Sequence, residues 1–183
     1  MKSLIVGYQG VAGSFSEDAL LSFFPNNINI KNYEQFEDVF IGIESEEIDY
    51  GVLPIENSST GAISAVYDLL NQYNCFIIGE TYVHPIQNLL GIKGAKIEEL
   101  LEVYSHPQGF EQSKDFLKNY NWKLIPYYNT AMSAKYIAEQ KNKSIGAIAS
   151  KKAAVLYNLD ILSENINNNK SNTTRFVIIS KEL

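Results

Sequence analysis

NNNKSNTTRFVIIS, residues 167–180, is the stretch on which the fold turns. Four asparagines and a lysine run into an apolar, partly β-branched segment, which reads as a loop followed by a strand. Upstream, strand and helix signals alternate in two clusters. If the last strand returns to the first cluster, the chain forms two lobes with two crossings and a cleft between them. The alternation alone does not prove that arrangement. At the junction, Thr173-Thr174-Arg175, stands the one arginine of the chain against fourteen lysines. A guanidinium is a rigid planar fork that grips a carboxylate at two points, which an ammonium cannot do. Arg175 therefore reads as a carboxylate partner, or as a structural salt bridge near the C-terminus. Side chains alternate along a strand, so Thr174 and Arg175 share one ligand only where the strand begins or is irregular.

Working outward, strands are predicted at 3–8, 28–33, 50–56, 75–83, 88–94, 122–128, 144–149 and 174–180, with another ending at Ser105. Helices are predicted at about 14–24, 36–45, 59–73, 107–120, 130–141 and 150–158. This succession implies a mainly parallel α/β architecture. The expected division is 1–74 plus 166–183 for one lobe and 75–165 for the other.

Composition narrows the function. A chain of 183 residues with 45% apolar residues has enough for a core in one domain or two small lobes. A net charge of −6 argues against a nucleic-acid binder but not against a local site for a small anion. The start, MKSLIVGYQG, has no long apolar stretch and reads as a first strand, so the expectation is a cytoplasmic protein with no membrane association. The single cysteine, Cys75, reads as a small buried apolar residue. Its two histidines, His84 and His106, lack metal-ligand spacing, so no metal is expected.

Five polar clusters follow strands and open helices: GVAGSFS (10–16), ENSSTGA (56–62), SHPQG (105–109), YNTAMS (128–133) and IASKKA (148–153). Helix starts present unpaired N–H groups and suit carboxylates; ordinary capping explains any one of them better, and it is the whole set, with glycines beside it, that brings the two readings level. Ser14, Ser58 and Thr130 are the candidates there. Gly10 and Gly13 do not make the dinucleotide-binding pattern. Glu56 and Glu80, each after a strand, read either as an acid/base pair or as acceptors for nearby backbone donors.

Taken together, GYQGVAGSFSEDA, GVLPIENSSTGAI, IIGE, YSHPQGFEQSKDFL, NTAMSAKYIAE, GAIASKKAAVLYNLDIL and NTTRFVII, in this order from residue 7 to residue 179, resemble the catalytic domain of the prephenate dehydratase family. The resemblance implies a two-lobed α/β fold of the type II periplasmic-binding-protein kind, with the active site in the interlobe cleft. It implies conversion of prephenate to phenylpyruvate, water and carbon dioxide without cofactor or metal, with arogenate dehydration or simple small-anion binding as alternatives. By that resemblance Thr174 helps the ring hydroxyl leave, and Arg175 binds the dicarboxylate substrate. Asn57, Ser58, Gly61, Ser105, Gln108, Thr130 and Ala131 fall in its binding motifs, with His106 and Pro107 between. Departures are Asn129 where serine is usual, Gly109 where alanine is usual, and Gln87 and Asn88 near a position that often holds histidine. The family's ACT regulatory domain is expected to be absent, and a homodimer is the default expectation.

Overall fold

The computed structural model describes residues 3–24 and 27–183. The chain runs β1 (Leu4–Gln9), α1 (Phe15–Phe23), β2 (Ile28–Tyr33), α2 (Phe36–Glu44), β3 (Tyr50–Asn57), the two-residue β4 (Gly61–Ala62), α3 (Ser64–Gln72) and β5 (Phe76–Val83). Then follow β6 (Asn88–Gly91), β7 (Glu102–Ser105), α4 (Pro107–Gln112), α5 (Lys114–Leu117), β8 (Lys123–Pro126), α6 (Thr130–Gln140), β9 (Ile145–Ala149), α7 (Lys151–Leu156), β10 (Asp160–Ser163) and β11 (Thr174–Ser180). Helix signals act as expected: Ser14 accepts from the Glu17 N–H to cap α1, and Val39, Phe40 and Ile43 give α2 one buried face.

Two compact units result, residues 1–85 with 172–183, and residues 86–171. The first holds a sheet ordered β2-β1-β3-β11-β5, with β4 beside β3. There β1, β2 and β3 are parallel, while β11 runs antiparallel to both of its neighbours. The second holds β10-β6-β9-β7-β8, in which β7, β8 and β9 are parallel and β6 alone runs antiparallel to both of its neighbours, β9 and β10. Both sheets are therefore mixed rather than mainly parallel. β9, Ile-Gly-Ala-Ile-Ala, is buried throughout, as a central strand covered on both faces must be.

The last strand does return to the first unit, but the expected boundaries at 74/75 and 165/166 move to 85/86 and 171/172. β5 cannot leave the first unit because it pairs with β11 along its whole length, from Phe76 opposite Ser180 to Val83 opposite Thr174. Residues after 165 stay with the second unit because Ile166 is buried beside Leu89 and Val103, and the Ile166 N–H donates to the Gln87 carbonyl at 2.9 Å.

Within the first unit β11 separates two cores. Phe176 and Ile178 pack with Val6, Tyr8 and Leu20 on the α1 face; Val177 and Ile179 pack with Leu53, Ile55 and Val66 on the α2/α3 face. Pairing with β3 runs Thr174 to Asn57 and Arg175 to Glu56, then jumps to Phe176 opposite Pro54, leaving Ile55 unmatched. This bulge puts Ile55 and Glu56 on the same face and so determines what meets each residue at the start of β11.

Three other expectations change. The predicted helix at 59–73 begins only at Ser64, because Gly61 takes φ +81°, turns the chain and lays β4 back on β3. The predicted helix at 107–120 breaks at the buried Ser113 into α4 and α5. Cys75 is half-buried at the edge of the α2/α3 core rather than fully inside it.

Candidate active site

At the start of β11 the two faces of the sheet carry different chemistry. Thr174 lies on the α1 face opposite Asn57 and Val83; Arg175 lies on the α2/α3 face opposite Glu56 and Tyr82. The two residues are neighbours in the chain but do not converge.

Asn57 is buried, and both ends of its side-chain amide are engaged. Its Oδ1 accepts from the backbone N–H groups of Ser59 at 2.9 Å and Thr60 at 3.2 Å. Backbone N–H groups can only donate, so this edge of the amide must be the oxygen. The Nδ2 edge therefore faces Thr174 and donates to its Oγ1 at 2.8 Å. Thr174, 9% exposed, thus has one lone pair occupied by a donor, and its own O–H hydrogen is left to point at another acceptor.

Ser58 ties the approach to β11: its N–H donates to the Thr173 carbonyl, and its Oγ accepts from the Thr173 N–H, both at 2.9 Å. The hydroxyls of Ser58 and Ser59 donate to Asn172 Oδ1 at 3.2 and 2.9 Å. Asn172 is buried, and sequence reasoning missed it because it sits in an asparagine-rich tract that reads as loop. Gly61 has open space around its α-carbon, so its role on this side is the turn that frees Asn57 to reach β11. Ser14 serves as a cap, and Glu17 of the same first turn bends back to accept the Gly13 N–H, which puts an anion already at that helix start.

On the other face of the sheet Arg175 Nη2 lies 3.1 Å from Glu56 Oε2 and Nη1 lies 3.5 Å from Glu80 Oε2. The Tyr82 hydroxyl donates to Glu80 Oε1 at 3.0 Å. Glu56 and Glu80 are partners of the arginine rather than of backbone donors.

In the second unit Ser105 is fully buried, and its hydroxyl donates to the Ile148 carbonyl at 3.0 Å. A side chain at Gly109 would collide with that hydroxyl, which accounts for glycine in this chain. Asn129 caps α6 by accepting from the Met132 N–H at 2.7 Å, as a serine there would. Thr130 and Ala131 form the first turn of α6, which contains no acidic residue. With Met132 N–H capped, their N–H groups are the donors of that turn still suited to an anion. This distinguishes α6 from α1. Gln108 is half-buried, with its backbone N–H on His106.

His106 is the N-cap of α4, its Nδ1 accepting the Gln108 N–H at 3.2 Å. That bond requires an unprotonated Nδ1, and burial holds the imidazole below its usual range. A base whose folded pKa is depressed contributes stability above its unfolded pKa of about 6.5 and loses it as pH falls through the window below. Between about pH 7 and about pH 5, the parent's urea midpoint is expected to fall more steeply than that of His106→Asn, which caps without titrating. Parallel pH profiles for the two proteins would contradict this.

The family described as prephenate dehydratase matches residues 6–183. The chain is 40% identical over 177 residues to arogenate dehydratase/prephenate dehydratase 1 of Arabidopsis thaliana, a chloroplastic protein, covering 97% of this chain and 45% of that one. It is 37% identical over 175 residues to prephenate dehydratase of Methanocaldococcus jannaschii, covering 93% and 62% respectively. The structure of prephenate dehydratase from Arthrobacter aurescens in complex with L-Phe matches with a TM-score of 0.90 at 24% identity, covering 98% of this chain and 61% of that chain. The fold is the expected α/β one, with two sheet-containing lobes. The chain spans about half the length of the first curated relatives it matches. Among the described residues no helix is long and apolar enough to cross a membrane.

Proposed function

This chain belongs to the prephenate dehydratase family, and from that premise we propose that it converts prephenate to phenylpyruvate, with Thr174 as the catalytic residue. In this reaction the electrons of the ring–carboxylate bond move into the ring as carbon dioxide departs. The ring hydroxyl leaves with its own bonding pair and takes up one proton from solution to become water. The gain of aromaticity drives the step, and what the enzyme must supply is help for the departing hydroxyl. Thr174 suits that role. With its lone pair engaged by Asn57, its hydroxyl hydrogen is free to bond the leaving oxygen as negative charge grows there. A threonine is too weak an acid to surrender its proton outright, so the effect is charge stabilisation and positioning.

The carboxylate that departs loses its charge and gains nothing from a tight clamp. The one that survives needs donors that hold throughout. Arogenate differs from prephenate by an α-ammonium. The side chains tied to Thr174 and its approach, Asn57, Ser58 and Asn172, carry no negative charge to pair with an ammonium, which supports the keto acid over the amino acid. The observation that carries the proposal is the Asn57–Thr174 hydrogen bond.

The test is a side-by-side rate measurement with both acids. Phenylpyruvate should appear from prephenate, with kcat/KM above that for arogenate by about tenfold or more, the factor that ~1.4 kcal/mol supplies. Preference for arogenate would move the assignment to arogenate dehydration. Ligand binding without turnover of either acid would replace the enzyme reading with a small-anion-binding module.

A further inference from the structure

The start of β11 carries an ion-pair cluster on the sheet face away from Thr174. Arg175 sits between Glu56 of β3 and Tyr82 of β5 in the strand register, and its two terminal nitrogens each meet a different carboxylate, Glu56 and Glu80. Tyr82 holds the second carboxylate in place through its hydroxyl. The ion pairs therefore span three neighbouring strands at the rung next to Thr174. That rung needs support. Thr174 is the first residue of β11, and the pairing with β3 slips just beyond Arg175, where Ile55 has no partner. A strand end beside a bulge has fewer ladder bonds to hold it than the interior.

We propose that Glu56, Arg175 and Glu80 form a strap that fixes the backbone at Thr174, so that Arg175 is a positioning residue and not the partner of a substrate carboxylate. Both terminal nitrogens of the fork are already taken by carboxylates of the protein, and the guanidinium lies on the sheet face opposite the Thr174 hydroxyl. A single exposed ion pair contributes little, but two that share one guanidinium and cross three strands restrict the same short piece of chain together. Lysine, with a point charge, meets one of these carboxylates at a time, which is a reason for the one arginine in a lysine-rich chain. The inference rests on the reading of Thr174 as the catalytic group.

Four variants test it with prephenate as substrate: Glu56→Gln, Glu80→Gln, the double replacement, and Arg175→Lys. The double variant and Arg175→Lys are expected to lose kcat by about tenfold, with KM within about twofold, since misplacement of a reacting group by ~1 Å costs up to about a hundredfold. The single Gln variants should lie between these and the parent. Backbone amide exchange at residues 173–175 should quicken in the double variant whether or not turnover is measured. A tenfold rise in KM with unchanged kcat in Arg175→Lys would assign the guanidinium to the substrate and overturn the strap. Parental kcat together with parental exchange in the double variant would overturn it as well. If instead Thr174→Val retains full turnover while exchange quickens in the double variant, the strap stands and the catalytic reading of Thr174 fails.

Discussion

Thr174→Val is expected to lower kcat for prephenate by about 10²- to 10³-fold, with KM within a few-fold of the parent, the pattern of an interaction made mainly in the transition state. Valine keeps the shape and the β-branching that suit a strand, so the sheet is retained. What disappears is the Thr174 hydroxyl, whose hydrogen is the one proposed to meet the leaving oxygen. The change also strands Asn57 Nδ2, which is buried and gives its hydrogen to Thr174 alone, so a loss of about 1–3 kcal/mol in unfolding free energy accompanies it. Thr174→Ser keeps the hydroxyl but frees its rotamer, and its kcat should fall between the two. Single-turnover kinetics with Thr174→Val at the parental rate would remove the hydroxyl from the mechanism.

Asn57→Asp separates the fold from the chemistry at the same place. The aspartate can still accept the N–H groups of Ser59 and Thr60, so the turn that leads to β4 survives. It has no N–H to give, however. Facing Thr174 at hydrogen-bond distance, it must instead accept the threonine hydrogen, which reverses the bond and withdraws the hydrogen bond proposed for the leaving oxygen. A carboxylate beside the departing hydroxide also raises the barrier by like-charge repulsion. The expected result is a kcat lower by about 10²-fold or more, with a urea midpoint close to the parent's. Asn57→Ala, which loses the turn as well, should be less stable than either. Full activity in Asn57→Asp would mean that the direction of this bond is irrelevant.

Much of the scaffold is legible from local pattern, because the signals are short-range. Strand runs such as residues 28–33 and 144–149 and the cap Ser14 appear where apolar period and capping chemistry place them. What local pattern cannot carry is long-range pairing. Nothing near residue 75 announces that β5 will lie along a strand a hundred residues later, which is why the division between the units is misread by eleven residues at 74 against 85. The bulge at Ile55 is equally silent in the sequence, yet it decides that Glu56 meets Arg175 and Asn57 meets Thr174. The stretch 56–62 looks like a helix start because Asn, Ser and Thr cap turns and helices by the same bonds. Of the residues expected to bind substrate, Ser105 and Ser14 use their hydroxyls within the framework.

The place of β11 in its sheet also sets a schedule for the ribosome. Everything that the second unit needs has been synthesised by residue 171, whereas the middle of the first sheet is missing until residues 174–180 emerge. Until then β3 and β5 hold open, sticky borders with no strand between them, the condition in which nascent chains stray into aggregation or wait on chaperones. Because the same late segment carries Thr174, its hydroxyl reaches its station only when the sheet closes, so on the proposed function a chain stalled short of that closure is not just less stable but chemically inert.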